Sequence, residues 1–365
     1  MRTGMADLPL HGGKCPPWLF ARMKRLGAAI IEVIVCEYGP EEVLRRLADP
    51  FWFQALGCVL GFDWHSSGLT TTVCGALKEG LRGKEKDLGL FVAGGKGRTS
   101  RQTPQEIVAH LERQGLAGGE RLVYASRMAA KVDNSALQDG YQLYHHAFFF
   151  TASGAWAVVQ QGMNEANGWA RRYHWLGSEV TDFVCEPHAA ICGQPGHPVL
   201  NMVAREGEAS RRASLAVACE APAKVLREYQ AILAARPPSR LLRLGREHAV
   251  PQARHLSRVL EKTFAVRPRD YAALLGLPGV GPQTVRALAL LAEVAWGAAP
   301  SFRDPVRYSF AHGGKDGHPF PVNRELYDRS IATLHDALKR ARVGRSDKLD
   351  ALRRLSSLKT LPGSK

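Results

Sequence analysis

The chain has 365 residues, 45% hydrophobic and 23% charged, enough apolar material for a globular protein of two ordinary domains. No run of about eighteen apolar residues is present, and the opening MRTGMADLPLHGGK lacks the apolar stretch of a secretory signal, so neither a membrane span nor export is expected. Seven cysteines without framework spacing point to a reducing compartment such as the cytoplasm, and a formal charge of +15 favours a polyanionic partner.

In chain order, PPWLFARMKRLGAAIIEVIVCEYG and GPEEVLRRLADPFWFQALGCVLG each carry helical spacing, the second starting behind a Gly-Pro pair. YQLYHHAFFFTASGAWAVVQQGM reads as a β-hairpin: aromatic and β-branched arms flank a turn at Ser153-Gly154, and WARRYHWLG extends the same sheet. Residues 1–205 are therefore expected to form a mixed α/β domain with an antiparallel hairpin, without the regular alternation of a doubly wound fold. From 206 onward strand signals nearly vanish. EASRRASLAVACEAPAKVLREYQAILAAR is an amphipathic helix broken at 237–239, with further helices expected at about 246–264, 268–277 and 282–296. The expectation is an α+β protein whose residues 206–350 are all-helical and whose residues 351–365 are a polar tail. Basic residues cluster in KGRTSR (96–101), at 239–258 and at 336–355; the last two stretches also have helical apolar spacing, so part of their charge is a solvated face.

The segment LLGLPGVGPQTVRALALL, from Leu274 to Leu291, carries the most specific signal. It places one helix, a tight Pro-Gly-Val-Gly turn, then a second helix with Pro282 at its first position. Gly279 and Gly281 let the backbone approach a ligand closely, and the helix end behind them, with Thr284, offers N–H groups of favourable polarity for phosphate. This is the helix-hairpin-helix pattern of DNA-backbone binding. Asp304 follows in SFRDPVRYSF, at a spacing that resembles the helix-hairpin-helix DNA glycosylases. That resemblance implies a carboxylate that stabilises positive charge developing on the sugar. The spacing is a little longer than in the endonuclease III-like enzymes, and no iron–sulfur cysteine cluster follows.

Longer strings extend the likeness: ADLPLHGGKCPPWLF, DPFWFQALGCVLGFDWHSSG, AKVDNSALQDGYQLYHH, VVQQGMN, ARRYHWL and FAHGGKDGHPFPV. Over about residues 2–335 the chain resembles a prokaryotic family known as a domain of unknown function, whose archaeal members are 5-hydroxyuracil DNA glycosylases with AP-lyase activity. The resemblance implies a DNA repair enzyme for oxidised or deaminated pyrimidines, located with the nucleoid, with damaged DNA as partner and without a metal or organic cofactor.

An AP lyase needs an amine that attacks C1′ and forms a Schiff base. Many enzymes of this pattern carry a lysine where this chain has Gln283, which cannot do so. Lys131, close in sequence to Asp133 and Arg127, is the substitute, with Lys315 and Lys14 as rivals. Three Gly-Gly-Lys turns, HGGK at 11–14, GGKG at 94–97 and HGGK at 312–315, could hold phosphates, bringing Lys96, Arg98, Arg101, His312 and Lys315 into the DNA-binding set. A flipped base needs a polar, aromatic-walled pocket, and Asp133, Gln138, Asp139, Tyr141, Tyr144, His145, His146, Gln160, Gln161 and Asn164, mostly on the two arms of the hairpin, are the candidates. Cys185, His188, Cys192 and His197 match no common zinc spacing, and Asp63, His65 and Ser66 are too close in sequence for a hydrolase triad. Two rival classes remain: a metal-dependent nuclease using Asp63, Asp133, Asp139 and His145 or His146, and a non-catalytic DNA-binding protein.

Overall fold

A computed structural model of the chain describes residues 8, 10, 15–62, 66–195, 199–244, 249–306 and 324–358. It is a mixed α+β structure organised around one antiparallel sheet. Four helices come first: α1 (Pro17–Tyr38), α2 (Pro40–Ala48), α3 (Pro50–Val59) and α4 (Gly68–Gly80). The single helix expected over 39–61 is two, because Pro50 has no N–H to continue the ladder and Asp49 caps the next helix, its Oδ1 accepting from Phe51 N at 2.8 Å and Trp52 N at 3.2 Å. A short helix α5 (Glu85–Leu88) leads into β1 (Leu90–Lys96), followed by α6 (Arg98–Arg101), α7 (Thr103–Gln114) and α8 (Gly119–Lys131). The last turn of α8 widens into a π-helical turn at Val132–Ala136, after which β2 (Leu137–Gln138) begins.

The sheet runs β1, β3 (Gln142–Thr151), β4 (Trp156–Asn164), β5 (Trp169–Leu176) and β6 (Ala190–Cys192) in spatial order. The hairpin forms as expected, with Phe148 opposite Val158 and Phe150 opposite Trp156. Side chains alternate between its faces, so Phe91, Phe148, Phe150, Val158 and Trp175 enter one core and Val92, Phe149, Ala157 and Val159 the other. Both faces are covered, which is why β3 reads as a continuous apolar run rather than an alternating one. A two-residue strand β7 (Leu200–Asn201) pairs with β2.

The first core is closed by α7, α8 and the helices that follow: α9 (Glu208–Ala218), α10 (Pro222–Ala235), α11 (Ser257–Val266), α12 (Tyr271–Gly276) and α13 (Pro282–Trp296). The helix expected over 208–236 is again interrupted at a proline, Pro222. Because α13 buries Val285 and Leu288 to Leu291 against the layer below the sheet, the core continues across the boundary expected at 205/206. The second core is closed by α1 to α4 together with α14 (Arg324–Arg340) and α15 (Arg345–Leu358). Residues 351–358, expected to begin a polar tail, end α15 instead: Ala351 and Leu355 are buried among the N-terminal helices.

Among the described residues no helix is long and apolar enough to cross a membrane.

Candidate functional site

The turn between α12 and α13 is tight: Val280 N donates to Leu277 O at 3.2 Å, and Gly279 adopts φ +97°, a conformation natural to glycine. Gly281 caps α13 with extended backbone and open space around the position of a side chain. Thr284 is buried, its hydroxyl turned toward Gly279 O at 3.5 Å. Gln283 is exposed.

Lys131, the last residue of α8, reaches this turn. Its ammonium donates to Val280 O at 2.5 Å and Leu277 O at 3.4 Å, and burial lowers its pKa from the usual lysine range. Two positions apart on a helical turn, the side chains face opposite sides: Lys131 reaches the α12–α13 turn and Asp133 enters the core beneath the sheet. Asp133 is therefore not the ion-pair partner of Lys131. The amine opens into a cleft of about 590 Å³ lined also by Arg101, Ser126, His145, His146 and Gly281. His145 is fully buried in its wall with neither ring nitrogen hydrogen-bonded, and its pKa is pushed down to about 3 by burial, so at neutral pH it carries a free donor and a free acceptor. Lys96, Arg98 and Arg101 are exposed at the same end of β1 and α6.

The Gly-Gly-Lys at 94–96 is not an anion-holding turn. It belongs to β1, paired with β3 from Gly94 opposite Ala147 to Lys96 opposite His145. Gly94 N donates to Glu106 at 2.7 Å, and a Cβ there would stand 2.2 Å from His146 O, so the glycine serves close backbone approach. Lys14, Asp63, His65, His197, His312 and Lys315 lie outside the described residues.

The residues expected to form one base pocket are distributed over several places. Gln160 and Gln161 point to opposite faces, as neighbours on a strand must. Gln161 donates to Ser67 O at 2.8 Å and to the Tyr144 hydroxyl on the α4 side. Gln160 belongs to a buried chain on the other face: His146 Nδ1 lies 2.8 Å from Gln160 Oε1, Gln160 Nε2 donates to Asp133 Oδ2 at 2.5 Å, and His188 Nε2 pairs with Asp133 Oδ1. Asn164 caps the β4–β5 turn, accepting from Ala166 N and Asn167 N. Gln138 donates to Pro282 O at 3.0 Å and so ties β2 to the start of α13. Of the whole set, only His145 and His146 line the Lys131 cleft.

Asp304 lies elsewhere, in a cavity of about 490 Å³ lined by Glu186, His188, Asn201 and Arg303 among others. Arg171, fully buried, donates to Asp304 Oδ2 and to Asp139 Oδ2, both at 2.9 Å, and stacks 4.7 Å from the Tyr141 ring centre. Burial pushes the Asp139 carboxyl up, with the Arg171 charge and the Tyr173 hydroxyl opposing that rise. Two carboxylates against one guanidinium leave one formal negative charge, and Asp304 is the more exposed of the two. Arg171→Met is expected to strand Asp139 in the core and to destabilise the fold by about 3–5 kcal/mol, read as a lowered urea midpoint. An unchanged midpoint would mean that the ion triad contributes nothing to folding.

Of the four zinc-type residues, His188 is engaged by Asp133 and Cys192 is buried in β6 beside Arg172. Among the described residues no three His, Cys, Asp or Glu side chains converge on a metal position. The sequence singles out His188 only as one of four ligand-type residues in CEPHAAICGQPGH and gives no sign of its partner, which lies 55 positions away.

No curated protein and no solved structure matches the chain. A family model described as "Protein of unknown function (DUF763)" matches residues 4–322, and the chain belongs to that family.

Proposed function

We propose that the protein is a DNA repair glycosylase for oxidised or deaminated pyrimidines, of the 5-hydroxyuracil or uracil type, with an AP-lyase step through Lys131. The observation that carries this reading is the amine of Lys131 seated on the carbonyls of the Leu277–Gly281 turn. A helix-hairpin-helix would grip the phosphates of one strand through backbone N–H groups at Gly281 and the start of α13. An amine on that turn is then next to the gripped strand, in the region where Gln283 offers no nucleophile. Desolvation of Lys131 raises its neutral fraction, as Schiff-base formation requires. Arg101 in the same cleft, with Lys96 and Arg98 beside it, extends the cationic track.

The nucleophile of the lyase step is the chain's own amine. The neutral amine attacks C1′ of the abasic sugar, water leaves, and the iminium acidifies the C2′ proton, which passes to solvent water as the C3′–O bond breaks and the 3′ phosphate leaves. Asp304 supports the earlier step, in which positive charge grows on the sugar as the base departs.

The hairpin is tested through Gly281→Asp. The position has room for the side chain, so the fold is expected to persist while the new carboxylate repels phosphate. Affinity for duplexes of any sequence should fall by about tenfold or more, a loss of ~1.4 kcal/mol, with a shallower salt dependence. Unchanged affinity would take the hairpin out of the DNA interface.

A further inference from the structure

We infer that the cavity beside Asp304 is a second catalytic centre, in which His188 is the general base that activates water for cleavage of the N-glycosidic bond, separate from the Lys131 amine. The assignment rests on the glycosylase reading and divides its two steps between two cavities.

His188 is held as a base must be. Its Nε2 donates to Asp133 Oδ1, while Asp133 Oδ2 accepts from Trp175 Nε1 at 2.9 Å and from Gln160 Nε2 at 2.5 Å. With indole and amide both fixing the carboxylate, Asp133 cannot rotate away, and the imidazole orientation is set from behind. The ring also packs 4.5 Å from the Trp175 ring centre. Once Nε2 is committed to Asp133, Nδ1 is the remaining basic atom, and it has no hydrogen-bond partner among the described residues. The ring lines the 490 Å³ cavity together with Asp304, within the size range of small-molecule sites.

Two lining residues of this cavity supply complementary chemistry. Asp304, carrying the surplus negative charge of the Asp139–Arg171–Asp304 cluster, opposes a positive charge on the sugar. His188 Nδ1 takes a proton from water as the water oxygen forms its bond to C1′. The C1′–N bond breaks, its electron pair leaves with the base, and the proton held by His188 goes to the departing base or to solvent. Neither step requires Lys131, which lines the other cleft.

The test uses the full chain on two probes: a duplex with a single 5-hydroxyuracil or uracil, read for base release, and a duplex with a preformed abasic site, read for borohydride trapping. His188→Ala is expected to lose base release by about a hundredfold or more and to keep trapping close to the native level. Added imidazole should restore release in part. His188→Gln, which retains an N–H donor for Asp133, should behave as His188→Ala does without responding to imidazole, and it covers the case in which the alanine variant does not fold. Release at the native rate in His188→Gln, or trapping that falls in step with release in both variants, would overturn the assignment. A native protein that traps on abasic DNA yet releases no base also overturns it, whereas one that does neither overturns the glycosylase reading beneath it.

Discussion

Lys131→Gln is expected to eliminate borohydride-trapped product on abasic DNA, a fall of about a hundredfold or more, while duplex affinity changes little. The glutamine amide keeps a donor for Val280 O and Leu277 O, so the link between α8 and the hairpin survives, but an amide nitrogen cannot form an imine. In the native protein the trapping rate should rise with pH as the amine loses its proton and level off below the ordinary lysine pKa of about 10.4, because burial disfavours the ammonium. Gln283→Ala is the companion variant: that side chain is exposed and outside the cleft lining, so trapping should be retained. Normal trapping in Lys131→Gln would move the nucleophile to another lysine, Lys315 first.

The second large effect is expected at Asp304. Asp304→Asn preserves size and an oxygen for Val306 N, now at 3.1 Å, but removes the charge. Base release should fall by about a hundredfold to a thousandfold with DNA affinity retained, since the missing interaction strengthens only as the sugar becomes cationic. Arg171 would still be paired with Asp139, so the fold is expected to tolerate the change better than it tolerates loss of Arg171. Trapping on a preformed abasic site should be affected far less, because that amine lines a different cleft. Near-native base release would mean that Asp304 is structural.

The elements themselves were largely legible. Apolar periodicity gives α1 and α13 almost to the residue, and the aromatic arms around Ser153-Gly154 give the hairpin, because local pattern and burial agree there. Pro50 and Pro222 interrupt two stretches whose apolar spacing runs on across them, and proline chemistry overrides spacing. The site was less legible. A sequence shows Lys131 near Asp133, but positions i and i+2 of a helical turn face opposite sides, and only the fold brings Lys131 to the α12–α13 turn some 150 residues later. The expected base pocket dispersed for an equally physical reason: Gln160 and Gln161, read as one group, must face opposite sides of a strand. Arg171 stands in the string ARRYHWL and His188 among the four zinc-type residues, and neither setting shows what the side chain does. Their roles depend on partners far along the chain, Asp304 for one and Asp133 for the other, which no local spacing encodes.

The most direct measurement takes the native protein with EDTA present, incubates it with duplexes each holding one damaged pyrimidine, adds borohydride, and maps any covalent adduct by peptide mass. The account predicts release of an oxidised or deaminated pyrimidine and an adduct on the peptide that contains Lys131. Absence of both release and adduct across the panel, or strand cleavage that appears only when a divalent metal is added, would contradict it.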